Sequence, residues 1–336
     1  MRFYITAQID KETLENFSKL GFVQYEGWDT TKNVFSEKEL VKKIKDYNAD
    51  VLIVEFENVN NEVIENTDLK LIGVCRSDPK RNVDVDAANK KKIPVIYTPG
   101  RNLNSVAELT VGIILSTIRK IVFSDRIYRK GVKIESFKDY AEVYLKLYGN
   151  EIKGKTVGII GLGKIGRRVA KILSAFGAKI IAYDPYVEAS VFKKLKVKKV
   201  SFNDLLRLSD IITVHASLTD ETAGMIDEKA FSMMKDGAYF FNLASSGIVD
   251  EDALYNALKS GKLAGAGLDV VYDEPLESSN RFFELDNVVI TPHIGSNTYE
   301  KIKVQSEMIY KDVLRFIQGK RPLHLLNPEV FRKIER

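Results

Sequence analysis

One segment constrains this chain more than any other: Gly161-Leu162-Gly163-Lys164-Ile165-Gly166. Three glycines at this spacing are weak evidence alone, and their surroundings carry the weight. The apolar strand Val157-Gly158-Ile159-Ile160 precedes them, and a helical pattern follows over residues 167–176, with Val169, Ile172 and Leu173 apolar. The next apolar run, Ile180-Ile181-Ala182-Tyr183, ends in Asp184, 18 residues after Gly166. This is the pattern of a dinucleotide-binding turn. Gly161 allows the tight turn, Gly163 lets backbone approach a pyrophosphate at the helix N-terminus, and Gly166 allows close helix–strand packing. Asp184 accepts both adenosine ribose hydroxyls and repels a 2′-phosphate. Pro185 and Tyr186 follow it with no adjacent arginine, so NAD is the expected cofactor.

The alternation of strand and helix runs through the chain. Beyond residue 155, strands are expected at 156–160, 179–184, 211–215, 238–242, 266–270 and 288–291, with helices at 165–176, 201–208, 227–234 and 250–260. This is a doubly wound pattern of about six strands. Earlier, strands are expected at 2–7, 51–55, 71–74 and 93–97, and helices at 36–47 and 85–92. Ser36 with Glu39 three residues on is a capping box. A chain of 336 residues exceeds one ordinary core, so the expectation is α/β with two domains. A long helix from about 105 to 129, apolar nearly all round from Val106 to Val122, must be buried between domains or subunits. An amphipathic helix over 299–318 and a proline-containing tail close the chain.

Composition excludes several classes. The net charge of +5 comes from 51 basic and 46 acidic residues, interspersed. Lys90-Lys91-Lys92 and Lys198-Lys199 read as solvated helix or loop faces, and no nucleic-acid partner is expected. The most apolar helix, 109–118, is too short to span a bilayer, and the N-terminus reads as a strand, not a signal peptide. Cys75 is the only cysteine, which excludes an intrachain disulfide and fits a reducing cytoplasm. No metal site is expected.

Of three histidines, His293 stands out. It lies in Thr291-Pro292-His293-Ile294-Gly295, straight after the strand Val288-Val289-Ile290, and Glu274 follows another strand 19 residues earlier. Loops at the carboxyl ends of parallel strands are where ligands bind. A glutamate bonded to an imidazole holds its tautomer and favours its protonated form, as a proton donor to a carbonyl receiving hydride requires.

With these motifs, the chain resembles the D-isomer-specific 2-hydroxyacid dehydrogenases, including D-3-phosphoglycerate dehydrogenase-like members, over nearly its whole length. The resemblance rests on Pro99-Gly100-Arg101-Asn102, the segment 154–163, Leu218-Thr219, Thr222, Asn242, Gly247, Val249-Asp250, Leu268-Asp269-Val270, Glu274-Pro275 and Thr291-Pro292-His293. It implies two Rossmann-like doubly wound domains. An NAD domain, 101–297, is inserted into a discontinuous flavodoxin-like substrate domain, 1–100 and 298–336, with no room after Asn327 for a regulatory domain. It implies a homodimer through the helix after Ser105. It makes His293 the acid/base, Glu274 its partner, and places Asp269 near the nicotinamide. Ala216 and Ala244 flank the nicotinamide side, with His215 and Thr222 in register. Cys75, Arg76 and Ser77 face the substrate. The implied reaction interconverts a 2-hydroxy acid and a 2-oxo acid by hydride transfer.

One departure is serious. The family's arginine after the Asn-x-Ala segment is Ser245 here, in Asn242-Leu243-Ala244-Ser245-Ser246-Gly247. That arginine clamps the substrate carboxylate, and a serine offers one neutral donor in place of a charged fork. Its loss costs roughly 3 kcal/mol, on the order of a hundredfold in rate. Another cation replaces it, with Arg76 first and Arg101 and Lys120 behind, or the protein is an NAD(H)-binding sensor or regulatory partner with little turnover, or it is a redox or acid/base enzyme whose substrate lacks a carboxylate. Retention of both Glu274 and His293 favours the enzyme. A smaller departure is Ser217, where the family often has proline.

Overall fold

The computed structural model describes residues 1–80 and 82–332. Backbone contacts divide the chain into two compact units, Met1–Asn102 with Thr298–Arg336, and Leu103–Asn297. Residues 333–336, at the end of the expected substrate domain, lie outside the described residues.

The first unit is a five-stranded parallel sheet: β1 (Arg2–Ile5), β2 (Phe22–Tyr25), β3 (Val51–Val54), β4 (Leu71–Val74) and β5 (Val95–Tyr97), in the order β2-β1-β3-β4-β5. This is the flavodoxin-like order. Every residue of β3 and β4 is buried, as expected of a parallel sheet covered on both faces. One face packs Leu52, Val54, Ile72 and Val95 against Leu40, Ile44 and Ala87. The other packs Phe3, Ile5, Val51 and Ile53 against Phe17, Ile309 and Val313, so the helix Tyr299–Ile317 belongs to this unit. The tail stays with it too: Asn327 accepts the Val95 N–H at 2.8 Å. The capping box of the helix Glu37–Tyr47 is present, with Ser36 and Glu39 paired.

The second unit is a seven-stranded parallel sheet: β6 (Thr156–Ile160), β7 (Lys179–Tyr183), β8 (Lys198–Lys199), β9 (Ile211–Val214), β10 (Ala238–Asn242), β11 (Leu263–Leu268) and β12 (Val288–Ile290). Its order is β12-β11-β10-β9-β6-β7-β8, so the winding reverses between β6 and β9. Such a switch point opens a ligand crevice at the strands' carboxyl ends.

Sequence and structure differ at several places here. The sheet has a seventh strand, because Lys198-Lys199, expected on a solvated helix or loop face, pairs with Ile181 and Ala182 as a short edge strand. β11 begins at Leu263, three residues before the expected start, since Gly265 and Gly267 interrupt its apolar pattern. Those glycines let a helix close in: a Cβ on Gly267 would stand 2.2 Å from Ile113. The long helix expected from 105 to 129 is two helices, Leu103–Ile118 and Ile121–Arg129. Lys120 takes a left-handed φ of 53°, and Asn150 N–H takes up the Ile118 carbonyl at 2.8 Å. The first helix is buried as expected, whereas the second buries no residue. Nothing in its packing forces the two to continue as one. Helices at Phe137–Lys146 and Ala189–Leu195 were not anticipated from the pattern.

Candidate functional site

The site residues of the second unit follow the carboxyl ends of adjacent strands. At the switch point, His215 N–H donates to the Ile160 carbonyl at 2.7 Å, drawing the β9 loop against the β6 turn. Gly161 has φ +91°, and a Cβ there would meet Ala216 N at 2.6 Å, so only glycine fits. A Cβ on Gly166 would stand 2.2 Å from the Gly161 carbonyl, which lets the helix Lys164–Ala175 start directly on the turn. At Gly163 a Cβ would meet nothing within 4 Å, leaving the backbone open to a ligand. This glycine is the helix N-cap, without a side-chain cap, and the first turn carries no acidic residue. The amides of Lys164 and Ile165 therefore stand at a helix terminus that favours an anion.

A cavity of about 330 Å³ lies on this edge, lined by Gly161, Gly163, Asp184, His215, Ala216 and Thr222 among others. Asp184 stands one residue past β7 and is 9% exposed. Its carboxylate accepts backbone N–H groups from Leu162 at 2.8 Å, Tyr186 at 2.9 Å and Val187 at 3.0 Å. Asp184 therefore fastens the glycine turn to the next strand as well as facing the cavity. Thr222 Oγ1 accepts the Thr219 N–H at 2.8 Å and donates to the Ser217 carbonyl at 2.7 Å, closing the β9 loop on itself. His215 Nε2 pairs with Thr213 Oγ1 at 3.0 Å. Burial pushes the His215 imidazole down to about 4, so it is neutral at physiological pH. Sequence reasoning left out Tyr186 and Glu221, which line the same cavity and bond to each other. A tyrosine two residues after Asp184 was the available signal.

Further along the edge, past β10, β11 and β12, stand the chemistry residues. His293 Nδ1 donates to Glu274 Oε2 at 2.8 Å, which leaves Nε2 as the ring nitrogen for proton exchange. Glu274 Oε1 accepts the Val271 N–H at 3.1 Å, which orients the carboxylate. His293 has φ 53°, a left-handed conformation that few non-glycine residues adopt. Asp269, 2% exposed, accepts from Thr291 Oγ1, Ile294 N–H and Gly295 N–H, so its carboxylate anchors the His293 loop. Ser245 opens the short turn Ser246–Ile248, and its carbonyl accepts from the Asn242 side chain at 2.8 Å. Ala244 N–H donates to Asn242 Oδ1 at 3.1 Å.

The remaining candidates lie elsewhere. Arg76 and Ser77 follow β4 of the first unit. The Arg76 guanidinium sits 5.5 Å from the Phe56 ring centroid, and Ser77 Oγ donates to Asn102 at 3.2 Å. Arg101 pairs with Glu55 at 2.7 Å in the same unit. Lys120 donates to the Lys146 carbonyl at 2.8 Å in the second unit and lines a separate small pocket with Asp286 and Arg126. Among the described residues no cluster of histidine, cysteine or acid side chains is arranged to hold a metal, and no helix is long and apolar enough to cross a membrane.

A doubly wound sheet with an open glycine turn, an acid after the second strand and a carboxylate–imidazole pair defines a dinucleotide-dependent oxidoreductase. Residues 111–295 match the model of the D-isomer specific 2-hydroxyacid dehydrogenase NAD binding domain. The Bacillus subtilis protein YoaD, named as a 2-hydroxyacid dehydrogenase, is 39% identical over 97% of this chain and 93% of its own. A glyoxylate reductase of Thermococcus litoralis is 35% identical over 98% and 97%. The holo structure of Rhodotorula graminis D-mandelate dehydrogenase superposes with a TM-score of 0.84 at 26% identity, covering 96% of each chain. This chain belongs to the D-isomer-specific 2-hydroxyacid dehydrogenase family. It is an NAD-dependent enzyme that oxidises and reduces hydroxy and oxo acids.

Proposed function

We propose that the chain interconverts a small 2-oxo acid and its 2-hydroxy acid with His293 as the acid/base. The observation that carries this is the 2.8 Å bond from His293 Nδ1 to Glu274, on a loop tied down by Asp269. NAD, when bound, takes up the hydride in one direction and as NADH returns it in the other. His293 Nε2 gives a proton to the carbonyl oxygen during reduction and takes it back during oxidation. Glu274 fixes the ring's tautomer and stabilises the imidazolium.

Residues 101–297 form the NAD domain, and residues 1–100 with 298–336 the substrate domain. The amides of Gly163, Lys164, Ile165 and Gly166 hold the pyrophosphate at the turn that Gly161 allows, and Asp184 holds the adenosine ribose. His215, Ala216, Thr222, Ala244, Asp269 and His293 serve the rest of the cofactor. Arg76 and Ser77 contact the substrate, and Ser245 stands where the family has its carboxylate-binding arginine. A homodimer is supported by the helix Phe137–Lys146. Phe137, Tyr140, Tyr144 and Tyr148 are 82, 46, 52 and 61% exposed, and successive ring centroids lie 5.5–6.1 Å apart. An aromatic face of this kind is suited to cover by a second copy. The single buried Cys75 suits a cytoplasmic protein.

The test is NADH oxidation followed by absorbance, with glyoxylate, pyruvate, hydroxypyruvate and phosphohydroxypyruvate. Turnover is expected with at least one. His293→Asn should lower kcat/KM by about 10²–10⁴-fold while NADH affinity holds. Tight NADH binding without turnover on any of the four would reassign the protein as a dinucleotide-binding partner.

A further inference from the structure

The bond that carries the proposed chemistry is an open one. The His293 and Glu274 side chains are 58% and 35% exposed. A charged pair so open to solvent is worth little by itself, because water competes for both partners. Its geometry therefore depends on how firmly the backbone beneath Glu274 is held. Two successive amides of that backbone each meet a carboxylate. Val271 N–H donates to Glu274 Oε1 at 3.1 Å, which leaves Oε2 for His293 Nδ1. Tyr272 N–H donates to Glu251 Oε1 at 2.7 Å, and Glu251 lies 21 residues earlier in the chain.

Glu251 stands on firm ground. It is the first residue of the helix Glu251–Lys259, whose N-cap Asp250 accepts the Ala253 N–H at 3.0 Å. A carboxylate in the first turn is favoured by the helix dipole. Leu254 and Leu258 of this helix are buried in the same core cluster as Val271, so the helix and the Glu274 segment share one footing. Asp252, the next residue, pairs with Arg281, whose guanidinium lies 4.9 Å from the Tyr255 ring centroid. Burial pushes the Glu251 carboxyl above its ordinary range, and the Tyr272 N–H and Arg281 only partly offset it. A neutral carbonyl oxygen accepts the same N–H, so at this position reach matters more than charge.

We infer that Glu251 is a positioning residue for the acid/base pair. Through the Tyr272 N–H it holds the backbone turn from which Glu274 extends, and Glu274 in turn holds the His293 ring. Without that bond the turn keeps the buried Val271 side chain but loses its tie on the other side. Glu274 then meets the imidazole in poorer alignment, the imidazolium is less favoured, and its proton leaves at lower pH. Reduction draws on the imidazolium, so its rate falls away earlier on the alkaline side. The part of Glu251 in turnover rests on the proposed function, while its hold on the His293–Glu274 bond does not.

The full-length protein, free of nucleotide, is titrated by NMR at its histidine C2–H resonances, with His293 identified by its loss in His293→Asn. Glu251→Ala should lower the His293 midpoint by about half a pH unit or more, as a weakened charge-assisted bond requires. His215 and His324 should keep theirs, which separates a local change from a general loosening. Glu251→Gln keeps the reach without the charge and should hold the midpoint close to native. Glu251→Asp keeps the charge but is one methylene short, and should behave as Glu251→Ala does. With any 2-oxo acid that the enzyme reduces, the Ala and Asp variants should lower kcat by about threefold to tenfold, while KM for NADH stays within about twofold. Circular dichroism verifies that each variant folds; if Glu251→Ala does not, the Gln and Asp variants decide. An unchanged His293 midpoint in the Ala and Asp variants, an equal shift of all three histidines, or a Gln variant as impaired as Ala overturns the assignment. A shifted midpoint without turnover of any 2-oxo acid overturns the proposed function and leaves the hold of Glu251 on the pair standing. Turnover that needs His293, with its midpoint unmoved in every Glu251 variant, does the reverse.

Discussion

Thr291 donates its hydroxyl to Asp269 at 2.6 Å, and the backbone N–H groups of Ile294 and Gly295 reach the same carboxylate at 2.8 Å each. The bonds fall on both sides of His293. They fasten a loop whose central residue has a left-handed φ of 53°, a conformation that costs roughly 1–2 kcal/mol outside glycine. Asp269 thus presents the imidazole that Glu274 orients.

Asp269→Asn turns one acceptor into an NH₂ group facing an N–H donor. A buried donor left unsatisfied costs about 1–3 kcal/mol. The melting temperature should fall by several degrees and kcat by about tenfold or more, while KM for NADH moves less than about threefold. Steady-state kinetics with a thermal melt give both readings. A rise in the NADH KM with kcat unchanged would return Asp269 to cofactor binding alone.

His215 makes stability depend on pH in a predictable direction. Its folded value, about 4, lies below the unfolded value near 6.5, so the unfolded chain binds the proton first. Its contribution is complete above about pH 6.5 and is lost as pH falls toward 4. The loss across that range is about 2–3 kcal/mol. Urea unfolding at pH 7 and pH 4.5 should show a smaller drop in His215→Asn than in the native chain. Equal drops would mean that this imidazole does not titrate with folding.

Asp184 has two duties in the structure, to three backbone N–H groups and to the cavity. Asp184→Ala should weaken NAD by about 10- to 100-fold, through the lost charge-assisted bonds and a looser glycine turn. NADP should lose less, because the repulsion of its 2′-phosphate goes as well. Binding of both dinucleotides by calorimetry tests this, and an unchanged NAD/NADP ratio would remove Asp184 from cofactor choice.

Ser245→Arg restores a guanidinium in the turn after β10. Activity toward 2-oxo acids should rise by about tenfold, as expected for one charge-assisted carboxylate contact. Rates on glyoxylate and pyruvate measure it. Flat or falling activity would show that Ser245 belongs to a different, working arrangement.

Much of the cofactor edge was legible in the chain because its logic is local. Gly161 and Gly166 answer to backbone sterics within one turn, and Asp184 follows an apolar strand that announces itself. The capping box at Ser36 is equally short-range. The break at Lys120 was hidden because the apolar pattern continues through Ile121 and Val122, although nothing buries them. β8 was hidden because two lysines carry no apolar alternation, and an edge strand needs only one neighbour to pair with.

The doubly wound class, the dinucleotide turn and the His293–Glu274 candidates are readable along the chain, since each is written in residues close together or in motifs at strand ends. Partnerships across the chain emerge on folding. Glu55 and Lys301 are 246 residues apart and meet at 3.0 Å because the helix Tyr299–Ile317 returns to the first sheet. Asp269 and Gly295 meet because β11 and β12 lie side by side. Which charge faces which is set by burial and strand order, and neither can be read from spacing along the chain.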